Sequence, residues 1–441
     1  MDIDEDVTLL PRAELVKTVV VAPPLAPAPK IAEAAPVAEN VEDASIQNLD
    51  SSSDDGPRLE YVTHLEMNCD NSQMAAALSS LEVKLYSTDS MALVGQLQGH
   101  TGPLTQLAFA PSDSNSLFSA SEDGTVRGWD TRCMRTTSTL GESGSGEEVY
   151  SMALGYDGRL CAAGKDCLIE FYDLRRAGKP LGTYSDCHTD AVTHVRFHPH
   201  KHAFMLTGSE DGLMCFLDTE VSIEEDALDS VMNAECPVRS VGFFGPHGEG
   251  VYCCTNTENL SLWHAEGAQR IKDFGDVRAL ARGQSDADGG CLGAASEAGG
   301  GPGVGRPKWA PTGREWGIPV DCIVGCQYDP AADRLRLVTS GFDGTACLAT
   351  VTPEGITPDV VLQGGHTEQI RTFQWMGRAI ATGGEDAKVC SWRCPGGGDD
   401  GDNSGAGSAS LGNGVKQDAS GCAIAAAADD DDVDDAMDDG R

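Results

Sequence analysis

The sequence predicts an all-β protein, a seven-bladed β-propeller, and two periodic features carry the prediction. A turn built around an aspartate recurs with a period near 44 residues, and a short apolar-x-x-apolar strand recurs seven times. Strands repeating at that spacing cannot each bury an apolar face alone, but sheets set around one axis bury each other's faces. Composition agrees: 52 glycines in 441 residues supply many tight turns, and the 40% of hydrophobic residues can build a sizeable core.

The turns align as SASEDGTVRGWD (119–130), TGSEDGLMCFLD (207–218), TSGFDGTACLAT (339–350) and TGGEDAKVCSW (382–392). Asp123 and Asp211 stand 88 residues apart, two units of 44, and Asp343 and Asp386 stand 43 apart. The 132 residues from Asp211 to Asp343 fit two further units once a glycine-rich insertion is removed. The first strand of each unit opens in turn at Val62, Leu104, Val149, Val192, Val238, Val320 and Ile370, each followed three residues later by Leu65, Leu107, Met152, Val195, Val241, Ile323 and Phe373. The units fill residues 59–394. Seven sheets around one axis make one domain, although 441 residues would ordinarily suggest about three.

The seventh unit ends near Cys394 with only three clear strands. Upstream, residues 13–22 (AELVKTVVVA) are β-rich and are expected to supply its missing outer strand, within an N-terminal segment of 1–58. Three stretches are expected to be disordered: a linker at 23–57 rich in Ala, Pro, Ser and acid, a glycine-rich insertion at 282–316, and an acidic tail at 395–441 ending DDDDVDDAMDDGR. None has enough apolar surface to offset the chain entropy lost on folding.

The formal charge is -38, with 69 acidic against 31 basic residues, and it is not confined to the tails. Such a body repels phosphate backbones, so direct nucleic-acid binding is disfavoured. No run of 18 apolar residues suggests a membrane span, and the N-terminus MDIDEDVTLL lacks the basic and apolar regions of a secretory signal. An intracellular setting, cytoplasmic or nuclear, is therefore expected, with the sixteen cysteines mostly free buried thiols. Neither the C-x-x-x-C pairs (Cys322/Cys326, Cys390/Cys394) nor the histidines of HVRFHPHKH (194–202) is expected to bind metal. The aligned stretch LAFAPSD (107–113) has the same strand and turn with no histidine. GGGPGVGRPK (299–308) is not a phosphate loop, because Lys308 is followed by Trp309 and no strand precedes it. No cofactor is expected.

The strings G-H (99–100), S-A-S-E-D-G-T-V-R-G-W-D (119–130) and G-G-E-D-A (383–387) resemble WD40 repeats. More narrowly, G-H-T-G-P-L (99–104), V-R-F-H-P (195–199), E-E-D-A-L (224–228) and L-Q-G-G-H (362–366) resemble the WD repeat-containing protein 89 group of that family. The resemblance covers most of 59–394 and implies a propeller scaffold without a defined chemistry. The insertion depart from the group's pattern, as does the tail, which would be expected to be basic.

The WD40 resemblance also implies a buried polar tetrad in each well-formed blade: a His before the first strand, a Ser or Thr on the second, the turn Asp and a Trp on the third. Buried polar groups are tolerated when fully paired. Two complete sets are present, His100, Ser119, Asp123, Trp129 and His366, Thr382, Asp386, Trp392. A third, His188, Thr207 and Asp211, has Leu217 in place of Trp, and a fourth retains only Thr339 and Asp343. A hydrolase triad is the rival reading of His, Ser and Asp, but these sets recur at a fixed period and no G-x-S-x-G elbow accompanies them. No enzyme is expected.

The expected function is a non-catalytic interaction scaffold, monomeric within a complex, binding a protein or peptide on one face through Tyr150, His194, Arg239 and Arg371. Arginine and tyrosine are enriched at binding hot spots. The alternative is a substrate receptor of a cullin-4 ubiquitin ligase. LFSASEDGTVRGWDTR (117–132) and the Tyr172-Asp173-Leu174-Arg175 sequence resemble its adaptor-binding box, with Arg132 and Arg175 as the implied adaptor contacts.

Overall fold

The computed structural model describes residues 10–21, 60–144, 146–176, 178–283, 316–376 and 379–394. Within them, 28 strands form seven four-stranded antiparallel sheets, the blades of one propeller. Blades one to six occupy residues 62–97, 104–140, 151–184, 194–233, 238–276 and 322–362, each with its strands in chain order. The first strands of successive blades pack against one another and so line the axis.

The second strands are covered on both faces by neighbouring blades. They read accordingly as continuous runs of small and apolar residues, QMAAAL at Gln73–Leu78, LCAAG at Leu160–Gly164 and GVYCCT at Gly250–Thr255. Among the described residues the core is divided rather than central. Seven apolar clusters each sit between consecutive blades, as where Ala75, Leu85 and Leu97 of blade one meet Leu107, Leu117 and Trp129 of blade two. Every blade is thereby held by both neighbours.

Blade seven is composite. Ile370–Met376, Ala379–Gly384 and Lys388–Arg393 supply its inner three strands, and Glu14–Val20 is the outermost. That strand runs antiparallel to Lys388–Arg393, with Glu14 opposite Arg393 and Val20 opposite Lys388, and a register shift between Leu15 and Lys17. It also reaches both adjoining blades. The Ala13 N–H donates to the Val361 carbonyl and the Val361 N–H to the Pro11 carbonyl, both at 3.0 Å, on blade six. The Lys17 and Lys84 ammonium groups donate to the Ser90 and Val21 carbonyls, which ties the strand to blade one.

The expected insertion has a different boundary. A helical turn, Val277–Ala281, follows blade five, capped by the Asp276 carboxylate accepting from the Arg278 N–H. Trp316, expected within the insertion, is buried with Val277 and Ala281 between blades five and six, and its N–H donates to the Ala281 carbonyl at 3.0 Å. An indole of that size packs because it removes more apolar area from water than a glycine-rich context predicts. The chain thus leaves and returns at adjacent points, and a long excursion costs little more closure entropy than a short one. Residues 284–315 of the expected insertion lie outside the described residues, as do the linker and the tail.

Candidate functional site

The tetrads are assembled by strand register. Ser119 lies opposite Leu107 on the first strand and Arg127 on the third, and Trp129 is two residues beyond Arg127, opposite Leu117 and so on the same face. The Trp129 indole N–H donates to Ser119 Oγ at 2.8 Å, which lies 2.7 Å from His100 Nε2, and His100 Nδ1 lies 2.9 Å from Asp123 Oδ2. The chain of donors is complete if Ser119 donates to Nε2 and Nδ1–H to the carboxylate. In blade seven Trp392 donates to Thr382 at 2.8 Å, with His366 at 2.9 Å from both Thr382 and Asp386. In blade four His188 lies 2.7 Å from Thr207 and 3.2 Å from Asp211. In all three blades a backbone N–H after the histidine, from Thr101, Thr189 or Thr367, donates to the same carboxylate and closes the turn.

This geometry explains the Gly-His pair. A Cβ on Gly365 would lie 2.7 Å from the Trp392 ring, and one on Gly99, at φ +155°, 3.3 Å from Trp129. Glycine is required for the indole to lie under the histidine. Burial pushes His100 and His188 below the usual imidazole range, although Asp123 and Asp211 oppose it. Burial also acts to lower His366, but Asp386 and Cys390 outweigh it and raise that group to about 9. No nucleophile is exposed in any of these sets, since each hydroxyl is already engaged.

Blade six shows what an incomplete set costs. Thr339 is fully buried and its Oγ1 has no hydrogen-bond partner among the described residues. A desolvated, unpaired hydroxyl is destabilising, so Thr339→Val is expected to leave stability unchanged or raise it by up to about 1 kcal/mol. The same change at Thr382 would strand Trp392 and His366 and should cost about 1–3 kcal/mol. Urea unfolding of the two variants side by side checks the contrast.

The four expected face residues do not form one set. Tyr150, Arg239 and Arg371 each directly follow the first apolar position of the unit, on the rim shared with the tetrad turns. His194 is one residue further along, which reverses the direction of the side chain. Its Nδ1 accepts from the Val241 N–H of blade five at 3.1 Å. Gln106 and Thr372, at the same step, accept from Met152 and Leu65 of their following blades. His194 is therefore one of a series of ties between blades. The arginines are also engaged: Arg239 pairs with Glu258 at 3.2 Å and donates to the Ile323 carbonyl, and Arg371 pairs with Glu385. Tyr150 donates to Glu148 at 2.8 Å.

Arg132 and Arg175 lie on the opposite rim, after the third strands of blades two and three, in matching clasps. Arg132 Nε and Nη2 donate to Asp130 at 3.0 and 2.7 Å, and Arg175 Nε and Nη2 to Asp173 at 2.9 and 2.9 Å. Each arginine hydrogen-bonds its own aspartate and holds it at about 2. The arginine side chains nevertheless remain 70% and 66% exposed. D-x-R spacing in the sequence does not reveal these clasps, because the turn that folds the arginine back is set by the strand end.

Among the histidines of 194–202, His198 is buried against Phe243, ring centroids 4.8 Å apart, and its Nδ1 accepts from the His200 and Lys201 N–H groups. It serves as a turn cap. Among the described residues no three His, Cys, Asp or Glu side chains are grouped to hold a metal, and no helix is long and apolar enough to cross a membrane. None of the fourteen described cysteines is in a disulfide, and eight of them are buried; Cys254 and Cys326 lie 3.8 Å apart between blades five and six.

Comparison with known proteins agrees with the repeat geometry. The WD domain, G-beta repeat model matches residues 91–130 and 178–218. The chain is 30% identical to a WD repeat-containing protein 89 homolog of Dictyostelium discoideum, over 79% of this chain and 86% of that one. It is also 30% identical to WD repeat-containing protein GTS1 of Arabidopsis thaliana, over 76% and 81%. A more distant similarity, 26% identity over 43% of this chain and 53% of the other, is to the human EARP and GARP complex-interacting protein 1.

Proposed function

This chain belongs to the WD40-repeat family, in the group that includes the WD repeat-containing protein 89 homolog, and we propose that it is a non-catalytic scaffold that binds a protein or peptide on a propeller face. The observation that supports this is the division of labour among its polar side chains. The His, Ser/Thr and Asp groups that resemble catalytic sets are consumed inside blades, whereas Tyr150, Arg239 and Arg371 stand at one rim, paired with acids of that rim and, for Arg239, with the Ile323 carbonyl. A rigid ring presenting polar side chains at its rim suits recognition better than turnover. The name of the human relative, which interacts with the EARP and GARP complexes, is consistent with scaffolding in this family.

The test is affinity purification of the tagged full chain from native extract, followed by mass spectrometry, beside Arg239→Glu/Arg371→Glu. A scaffold working through this rim loses specific partners in this variant and also in Arg371→Glu alone, which leaves the Arg239 bonds to Glu258 and the Ile323 carbonyl intact and is expected to retain its melting temperature. An unchanged partner list would remove these residues from the interface.

The second reading, a cullin-4 substrate receptor, is supported by the two clasps, which hold exposed arginines in one orientation on adjacent blades. Recovery of cullin-4 and its adaptor by wild type but not by Arg132→Ala/Arg175→Ala would favour it, and their absence from both samples would reject it.

A further inference from the structure

We propose that the underside of blades two and three is a docking surface for an acidic, Asp/Glu-rich segment of a partner protein. The inference rests on the scaffold reading and adds to it a second face and a partner chemistry. The chain carries a charge of -38, yet the loops at 130–135, 156–159 and 173–179 hold six basic residues against three acids. Two of the bases are the clasped Arg132 and Arg175. The other four, Arg135, Arg159, Arg176 and Lys179, are exposed and have no ion-pair partner among the described residues. Asp113, in the adjoining loop of blade two, is occupied by hydrogen bonds from Ser116 and Asn115, and the patch is bounded by acids of the flanking blades, Asp70 beside Ser114 and Asp218 and Glu220 around Thr219, which bonds Tyr156.

The loops form one platform. Ser112 Oγ donates to the Asp157 carbonyl at 3.2 Å, joining blade two to blade three. The Leu174 N–H donates to the Arg159 carbonyl at 2.9 Å, and the Thr131 N–H to the Asn115 carbonyl at 2.9 Å. Arg132, Arg135, Arg159, Arg175 and Arg176 are therefore carried on hydrogen-bonded backbone, which lowers the ordering cost of binding. In each clasp Nε and Nη2 face the aspartate, so Nη1 remains to donate outward, and a carboxylate is the natural acceptor for that group. A nucleic acid would meet the same cations, but its denser charge would also meet the acidic remainder of the propeller. A short acidic peptide engages the patch with less of that repulsion.

The test uses the full chain and a fluorescein-labelled twelve-residue peptide of alternating Asp and Glu, read by anisotropy at 50 and 200 mM salt. Wild type is expected to bind, more weakly at higher salt. Arg159→Glu/Arg176→Glu, which leaves both clasps intact, should lose at least tenfold in affinity, while Arg334→Glu, at an exposed arginine of blade six, should not. A milder Arg135→Ala/Lys179→Ala pair, with melting temperatures recorded for all variants, separates lost binding from lost folding. No binding at 50 mM salt, equal binding by the charge-reversed variant, or tighter binding of a single-stranded oligonucleotide of the same length would overturn the proposal. If Arg159→Glu/Arg176→Glu keeps every partner in native extract while Arg239→Glu/Arg371→Glu loses them, the scaffold reading stands and this surface does not.

Discussion

Deleting residues 1–21 is expected to turn a single cooperative unfolding transition into two, with blade seven opening first. Glu14–Val20 forms six register pairs with the third strand of blade seven and bonds to blades six and one. At roughly 0.2–1 kcal/mol per cross-strand pair, the loss is about 3 kcal/mol. The larger effect is topological. With the strand in place every blade has two neighbours; without it blade seven lacks its outer strand, and Lys388–Arg393 becomes an edge. Limited proteolysis should then cut first within 379–394, and thermal unfolding followed by tryptophan emission should separate from that followed by far-ultraviolet dichroism. One coincident transition at the wild-type temperature would show that the ring closes without the strand.

Trp392→Ala should be among the most damaging single substitutions in the chain. Trp392 is fully buried, fills the space between blades six and seven, and donates to Thr382. Truncating a buried indole leaves a cavity and costs about 3–5 kcal/mol. It also removes a donor from a hydroxyl that holds His366, so part of that cost belongs to the network. The Trp392→Ala, His366→Ala and double variants form a cycle. The double variant should cost less than the sum of the two single changes, by about 1 kcal/mol or more, because either change already breaks the chain of hydrogen bonds. Additive values from urea unfolding would mean that the tetrad is merely four independent contacts.

Much of this architecture could be read from the chain because a propeller is locally redundant. The spacing of Asp123, Asp211, Asp343 and Asp386 reports the turn in four blades, and the His–Ser/Thr–Asp offsets locate the hydrogen-bonded sets. What could not be read depends on contacts between blades. His194 looked like Tyr150 and Arg239 until the register put it one step out, against Val241. Trp316 lay in a glycine-rich context that gave no hint of its place beside Val277. For Arg239 and Arg371 the sequence left open a partner-facing role or pairing with neighbouring acids; they pair with Glu258 and Glu385 of their own blades, and the bond from Arg239 to the Ile323 carbonyl of the next blade had no signal in the sequence. Charge counts by segment likewise miss the basic underside, because its residues come from separate loops.

Closure by the N-terminal strand also sets an order of events during synthesis. Thr18 meets Cys390, 372 positions further along the chain, so this strand leaves the ribosome ahead of every other strand of the propeller and has no partner until nearly the whole ring has followed. Blades one to six can condense on one another as they emerge, each contact local to its neighbour. ELVKTVV must stay unpaired throughout, with Leu15, Val16 and Val20 open to solvent even in the finished fold. A waiting strand of that composition invites pairing with other nascent chains, and Lys17 at its centre, flanked by Arg12 and Glu14, supplies the charge that discourages it. The same seven residues thus carry two duties separated in time: to remain single while the ring is being made, and to seal it once the seventh blade has arrived.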